Sequence, residues 1–268
     1  MKVGYLGPIG TYTYEVCKKY IENKEGIEIC DFKTISETIM ALDRGEVDEV
    51  ITPIENSTYG GVFETIDCLL DNSKLNIINE LTMAINQCLL SKNNSLKDIK
   101  EIYSHPQAIA QCREYLLKNL PDAILIEVTS TTIAARETQL KENSACIGSK
   151  SCREIYGLNI LDSNINDKRN NETRFVVISQ KESLAKEKNK TSMVFSTKNE
   201  PGELYKVLGL FNIFSINLTK IESRPAKTKL GEYVFWIDFS GDKNEEHIKI
   251  LLEQIKLKCS YFRILGSY

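Results

Sequence analysis

The chain has 268 residues, with 34 Lys and Arg against 37 Asp and Glu, for a formal net charge of -3. Hydrophobic residues are 42% of it and charged residues 26%, the balance of a globular protein with one large domain, or a large and a small one. No Lys/Arg block marks a nucleic-acid face and no apolar run reaches membrane-spanning length, so neither nucleic acid nor a membrane is an expected partner.

The first eight residues do not read as a signal peptide, because their apolar stretch is short and Gly7-Pro8 interrupts it. The expected location is therefore the cytoplasm. The eight cysteines are expected there as reduced thiols, mostly small core fillers. No Cys-x-x-Cys spacing occurs and the only histidines are His105 and His247, so no metal site is expected.

Lys2 to Leu6 reads as a strand, Gly7 to Thr11 as a turn, and Tyr12 to Asn23 as a helix with Tyr12, Val16, Tyr20 and Ile21 at helical spacing. A helix start behind a glycine turn favours anions. No Lys follows the last glycine, so this is not a phosphate-binding P-loop. Ile27–Phe32 is a strand, Ile35–Arg44 a helix and Val47–Pro53 a strand. The polar loop from Ile54 to Gly61 then opens a helix over Val62–Leu70. Glu55 in that loop is either a solvated acid or a working carboxylate.

Leu75 to Leu90 reads as extended segments crossing to a second half. Ile99–Tyr103 is a strand ending in Ser104-His105-Pro106-Gln107, and Pro106 suits the first position of a helix running to about Asn119. Gln107 and Gln111 lie one turn apart on one face, turned either to a ligand or to solvent. His105 reads as a cap or packing residue. Ala123–Val128 is a strand, Thr129 to Thr132 caps a helix over Ile133–Lys141, Ser144–Gly148 is a strand, and Ser149 opens a helix that Gly157 ends. Asn170-Asn171-Glu172-Thr173-Arg174 then runs into the β-branched stretch Phe175–Ile178. That sets a hydroxyl and a guanidinium at the mouth of a sheet.

Residues 1–180 thus alternate strands and helices, which implies parallel sheets with loops gathered at their C-terminal edges. Two such halves make a cleft lined by helix N-termini, suited to a small, multiply anionic molecule. Residues 181–190 are charged and read as a linker. Residues 191–268 follow the order βαββαβ: a strand to Ser196, a helix opened by Pro201-Gly202, a strand Ser215–Glu222 broken at Ser223-Arg224-Pro225, a basic loop from Ala226 to Gly231, a strand Glu232–Phe239, a helix Glu245–Lys258 and a strand Tyr261–Leu265. This is a ferredoxin-like domain, of a kind that commonly pairs with a copy of itself.

Tyr5-Leu6-Gly7-Pro8-Ile9-Gly10-Thr11, Pro53-Ile54-Glu55-Asn56-Ser57, Ser104-His105-Pro106-Gln107 and Thr173-Arg174-Phe175 together resemble the successive motifs of the prephenate dehydratase family. Gly202-Glu203-Leu204-Tyr205 and Glu222-Ser223-Arg224-Pro225 resemble the phenylalanine-binding motifs of its ACT regulatory domain. The resemblance implies a two-lobed catalytic domain like periplasmic binding proteins, followed by the ACT domain. It implies decarboxylating dehydration of prephenate to phenylpyruvate in phenylalanine synthesis, feedback by phenylalanine, and no cofactor. By the same resemblance Thr173 donates to the departing hydroxyl, with Glu55, Asn56, Ser104 and Gln111 as further catalytic groups. Arg174, Thr11, Ser57 and Gln107 bind substrate; Arg174 is expected on the retained pyruvyl carboxylate. Gly202, Glu203, Leu204, Tyr205, Glu222, Ser223, Arg224 and Pro225 bind the effector between paired ACT domains of a dimer or tetramer. Glu203 departs from the small residue usual in the family. Alternatives are an arogenate dehydratase and a non-catalytic small-anion binding protein. Deleting residues 191–268 is expected to spare activity and abolish inhibition.

Overall fold

The computed structural model of the chain describes residues 1–229 and 231–268; Leu230, inside the expected basic loop, lies outside the described residues. In chain order the elements are β1 (Lys2–Leu6), α1 (Tyr12–Ile21), β2 (Glu28–Phe32), α2 (Ile35–Asp43), β3 (Glu49–Asn56), β4 (Gly60–Gly61), α3 (Phe63–Asp71), β5 (Asn76–Ala84), β6 (Cys88–Ser91), β7 (Glu101–Ser104), α4 (Pro106–Gln111) and α5 (Arg113–Asn119). They continue with β8 (Ile124–Glu127), α6 (Thr131–Leu140), β9 (Ser144–Gly148), α7 (Cys152–Tyr156), β10 (Asn159–Ser163), β11 (Glu172–Ser179), β12 (Lys190–Ser196), α8 (Glu203–Ile213), β13 (Leu218–Pro225), β14 (Tyr233–Ser240), α9 (Glu246–Lys256) and β15 (Tyr261–Ser267).

The chain divides into two compact units, Met1–Val62 with Leu81–Phe175, and Phe63–Glu80 with Val176–Tyr268. β5 and β11 run from one unit into the other. One sheet has the order β2-β1-β3-β11-β5, with β4 paired to β3. A second has the order β10-β6-β9-β7-β8. Both are mixed rather than the all-parallel sheets expected. β1 pairs with β2 and β3 in parallel, and β7 with β8 and β9, but β6 lies antiparallel between β9 and β10. β6 and β10 are the segments by which the chain enters and leaves the second half, so they cannot follow the strand–helix–strand rule that makes neighbours parallel. Cores form where apolar strand faces meet helix stripes: Leu89, Ile102, Ala145 and Ile147 pack with Cys112 and Leu116, for example.

The helix expected from Pro106 to Asn119 is two helices. At Cys112 the backbone leaves the helical region, with φ −121° and ψ 19°. The Asp167 carboxylate accepts from the backbone N–H of Glu114 at 3.1 Å and of Tyr115 at 3.3 Å. A carboxylate that caps the second piece stabilises a fresh helix start there. That cap comes from a residue 53 positions away, so local spacing carries no trace of it.

In the C-terminal unit β12–α8–β13–β14–α9–β15 forms the expected βαββαβ domain, an antiparallel sheet of order β13-β14-β12-β15. Ile248, Leu251, Leu252 and Ile255 form the buried stripe of α9, meeting Val207 and Phe211 of α8 and Met193, Phe195, Ile237 and Phe239 of the sheet. The unit also takes in α3 and residues 72–80. Arg224 of β13 makes a two-toothed ion pair with Asp67 of α3, its Nη2 3.0 Å from each carboxylate oxygen, and stacks over Phe63 at 4.1 Å. Lys227 adds contacts to Asp67 and Asp71, and Arg263 donates to the Leu69 carbonyl at 2.7 Å and to the Leu75 carbonyl. Lys190 pairs with Glu80 at 2.5 Å.

Candidate active site

Within the N-terminal unit a cavity of about 880 Å³ opens where the loops after β1, β2, β3, β7 and β8 converge with the start of β11. The N-terminal ends of α1 and α6 lie on its wall, through Thr11 to Thr13 and Thr129 to Thr131. Their backbone N–H groups and dipoles give the cavity an anion-attracting side. Lys33 is the one Lys or Arg among the lining residues, and Asp31 the one carboxylate. The backbone N–H of Lys33 donates to Glu37 at 3.1 Å, and Thr34 caps the same helix start, so α2 holds this stretch at the cavity.

The centre of the polar wall is Asn56, at the end of β3, against Thr173 on β11; each is 9% exposed. The Asn56 carbonyl oxygen accepts from the backbone N–H of Thr58 at 3.0 Å and of Tyr59 at 3.1 Å. That fixes the amide's orientation, because the reverse would set donor against donor. Its Nδ2 donates to Thr173 Oγ1 at 2.9 Å, to Asn171 Oδ1 at 2.8 Å and to the Glu172 carbonyl at 3.2 Å. Thr173 therefore accepts from the protein, and its own hydrogen is left for the cavity.

A second amide pair stands on another wall. Gln87, 3% exposed, donates through Nε2 to Gln111 Oε1 at 3.0 Å. The Tyr12 hydroxyl donates to the Asn86 carbonyl at 2.8 Å and lies 3.3 Å from Gln87 Oε1. Burial holds the Tyr12 phenol well above its ordinary pKa, so it stays a neutral donor. With its oxygen engaged, Gln111 is left to present its Nε2 as a donor.

Of the residues singled out in the sequence, Thr11, Asn56, Gln107, Gln111 and Thr173 line this cavity; Glu55, Ser57, Ser104 and Arg174 do not. Thr11 caps α1, accepting from Tyr14 N–H at 3.2 Å and donating to the Leu6 carbonyl at 3.1 Å, so its hydroxyl shapes the turn. His105 also lines the cavity and caps α4 through Nδ1, which accepts from Gln107 N–H at 3.2 Å. Ser104, fully buried, donates to the Ile147 carbonyl at 2.8 Å and ties β7 to β9. Ser57 bridges to the β11 entry, donating to the Asn170 carbonyl at 3.1 Å and accepting from Glu172 N–H at 2.9 Å. Arg174 faces Glu55 at 3.6 Å. Sequence reasoning missed Asp31, Lys33, Ile85 and Gln87 as lining residues. Asp31, at the C-terminal end of β2, and Lys33, just past it, follow the same rule that pointed to Glu55–Ser57, at the C-terminal end of a strand and the turn beyond it. Gln87 carries no signal beyond being an amide between apolar strands.

In the C-terminal unit Gly202 begins α8 with φ +85°, a left-handed conformation that glycine adopts without steric cost. Glu203 pairs with Lys206 at 2.5 Å, and that hydrogen bond holds its carboxyl below the ordinary range. Leu204 packs on the core and Tyr205 is 78% exposed. Glu222 lies 3.6 Å from Lys220, Arg224 is taken by Asp67, and Ser223 sits between them on β13. A cavity of about 680 Å³ in this unit is lined by Pro225 but by none of the other seven effector candidates.

A prephenate dehydratase family profile matches residues 3–183, and an ACT-domain profile matches residues 191–256. The bifunctional chorismate mutase/prephenate dehydratase of Aquifex aeolicus is 38% identical over 268 residues, covering 100% of this chain and 73% of the relative. The prephenate dehydratase of Bacillus subtilis is 36% identical over 282 residues, covering 100% of this chain and 98% of its own length. The crystal structure of prephenate dehydratase from Arthrobacter aurescens in complex with L-Phe superposes with a TM-score of 0.90 at 31% identity, covering 100% of this chain and 90% of that one. On the match over nearly its whole length, and on relatives above 30% identity that match the whole of this chain, the chain belongs to the prephenate dehydratase family and carries a C-terminal ACT domain.

Proposed function

We propose that the chain converts prephenate to phenylpyruvate, carbon dioxide and water in phenylalanine synthesis, under feedback from phenylalanine. The observation that carries the reaction is the orientation of Thr173 by Asn56 on the cavity wall. In this reaction the bond from the ring to its carboxylate breaks and releases carbon dioxide. The electron pair enters the ring as the bond to the ring hydroxyl opens, and the departing oxygen takes up one proton to leave as water. Aromatisation supplies the driving force. The difficulty is charge on the departing oxygen, which a hydrogen-bond donor aimed at it relieves. Because Asn56 donates to Thr173, the threonine hydrogen serves as that donor. A hydroxyl is a poor acid, so its part is hydrogen-bond stabilisation or proton relay rather than full transfer.

The retained pyruvyl carboxylate belongs by Lys33 and the starts of α1 and α6, with Gln107 and Gln111 as further polar contacts. This revises the expectation that Arg174 clamps it: Arg174 sits by Glu55 and outside the lining. Binding the leaving carboxylate tightly would stabilise the ground state and slow its loss, so that group suits the apolar wall of Ile85, Val62 and Phe175. Glu55, Ser57 and Ser104 act as scaffold to the groups that touch substrate.

Catalysis is assigned to residues 1–180, joined by residues 181–190 to regulation in residues 191–268, in a cytoplasmic enzyme. Self-association through the ACT domain, as a dimer or tetramer, accounts for apolar side chains left exposed there, such as Tyr205, Ile213 and Ile221. The effector is placed between the Gly202 helix start of one copy and the Glu222 to Pro225 stretch of another. One observation favours a second reading, dehydration of arogenate: Asp31 offers a carboxylate partner for its ammonium. Phenylpyruvate formation from prephenate, and phenylalanine formation from arogenate, measured with and without added phenylalanine, test both. Turnover of prephenate that phenylalanine suppresses supports the first reading. Turnover of arogenate alone supports the second, and turnover of neither overturns both.

A further inference from the structure

A third side chain, more deeply buried than either, hydrogen-bonds to the Asn56–Thr173 pair. Asn171 is 3% exposed, and its Oδ1 takes one N–H of Asn56 at 2.8 Å. The Asn56 amide has two hydrogens on Nδ2 and three acceptors around it: Asn171 Oδ1, the Glu172 carbonyl and Thr173 Oγ1. Two Asn56 backbone contacts fix which end of that amide faces them. With Asn171 holding one hydrogen, the second is directed between Glu172 and Thr173. Without it, the amide loses the shortest of its three Nδ2 contacts, the freed hydrogen has only the Glu172 carbonyl to turn to, and the tilt of the amide that aims the other hydrogen at Thr173 is no longer held. The Asn171 carbonyl also accepts from Ile85 N–H at 2.7 Å, which places its backbone beside a cavity-lining residue.

The arrangement comes at a cost to folding. Once Oδ1 faces Asn56, the Asn171 Nδ2 is buried with no hydrogen-bond partner among the described residues. A buried donor left unmatched is uncommon in a native fold. An aspartate at this position would accept from Asn56 equally well and leave no idle donor. It would also put a negative charge next to the group meant to receive a departing hydroxide, in a cavity meant for a dianion. A neutral acceptor is what the site needs, and asparagine supplies it.

We propose that Asn171 is a positioning residue for the dehydration: through Asn56 it sets the Thr173 hydroxyl as a donor to the departing oxygen. This rests on the reading that Thr173 is that donor. The test is a double-mutant cycle on the full-length protein, Asn171→Ala with Thr173→Val, read by single turnover with enzyme in excess and by kcat and KM at steady state. Asn171→Ala in the parent is expected to lower kcat by about 30-fold or more with KM within threefold, as for loss of a transition-state contact. In the Thr173→Val background the same change is expected to cost less than threefold, since there is no hydroxyl left to orient. An equal cost in both backgrounds, or an unchanged kcat in the parent, overturns the proposal while leaving the role of Thr173 standing. Full activity of Thr173→Val alone overturns that role instead. Should Asn171→Ala fail to fold, Asn171→Ser, too short to reach Asn56, carries the same cycle.

Discussion

Thr173 and Asn56 divide one task between them: one side chain holds the hydroxyl, and the other is the hydroxyl. Thr173→Val keeps the shape and removes the donor, so turnover is expected to fall about 100- to 1,000-fold, the usual loss for one preorganised donor. Thr173→Ser keeps the donor and should retain a measurable fraction of kcat, with unchanged thermal stability as the control for folding. Wild-type turnover in the valine variant would end the assignment. Lys33 makes a different prediction because it acts on binding. Lys33→Met should raise KM for prephenate about tenfold, leave kcat within about twofold, and flatten the dependence of KM on ionic strength, as for a screened charge contact. A fall in kcat at constant KM would return the carboxylate to Arg174.

At the level of elements, α3 is the unexpected member of the C-terminal unit. The sequence places it as a helix opened by the Ile54–Gly61 loop, yet its acids face β13: Asp67 holds Arg224, and Asp67 with Asp71 holds Lys227. Arg224 was expected to serve the effector, and it is already occupied. Asp67→Ala would leave a partly buried guanidinium without its two-toothed partner, an expected loss of roughly 1–2 kcal/mol in unfolding free energy by denaturant titration. The same variant should change the phenylalanine concentration giving half inhibition, because Arg224 is released. An unaltered inhibition curve would separate this ion pair from regulation. Gly266, on β15, passes so close to β5 that a Cβ there would run into the Ile77 carbonyl. Gly266→Ala is therefore expected to lower the melting temperature by several degrees, since the obstacle is backbone and cannot move aside.

At the scale of the whole molecule, the profile matches meet at the expected linker, at residues 183 and 191, while one stretch of the earlier chain packs with the later one. Residues 63–80 cluster with residues 176–268. Cutting the chain at residue 190 would strip α3 of Arg224, Lys227 and Arg263, so the truncated chain is expected to melt well below the full-length protein. Loss of activity on truncation would then report instability, and activity must be read against the melting curve. The buried thiols give a pH prediction. Burial pushes Cys17 and Cys112 up to about 12 and Cys152 up to about 11, against an ordinary 9.0. The unfolded chain releases these protons first, so their contribution to stability is full below pH 9 and falls as pH rises toward 11 and 12. The melting temperature should drop across that window, and Cys112→Ala should blunt the drop; a drop of the same size in that variant would assign the alkaline loss to other groups. The order of strands and helices, the ferredoxin-like tail and the family were legible in the sequence, because hydrophobic spacing, caps and short motifs act over a few residues. The break at Cys112, the antiparallel placing of β6, the membership of α3 and the pairing of Asn56 with Thr173 were not. Each depends on a partner far along the chain: Asp167 is 53 positions from the helix it caps, and Asn56 is 117 positions from Thr173. Local propensity names the side chains that can donate and accept, and only packing decides which of them meet.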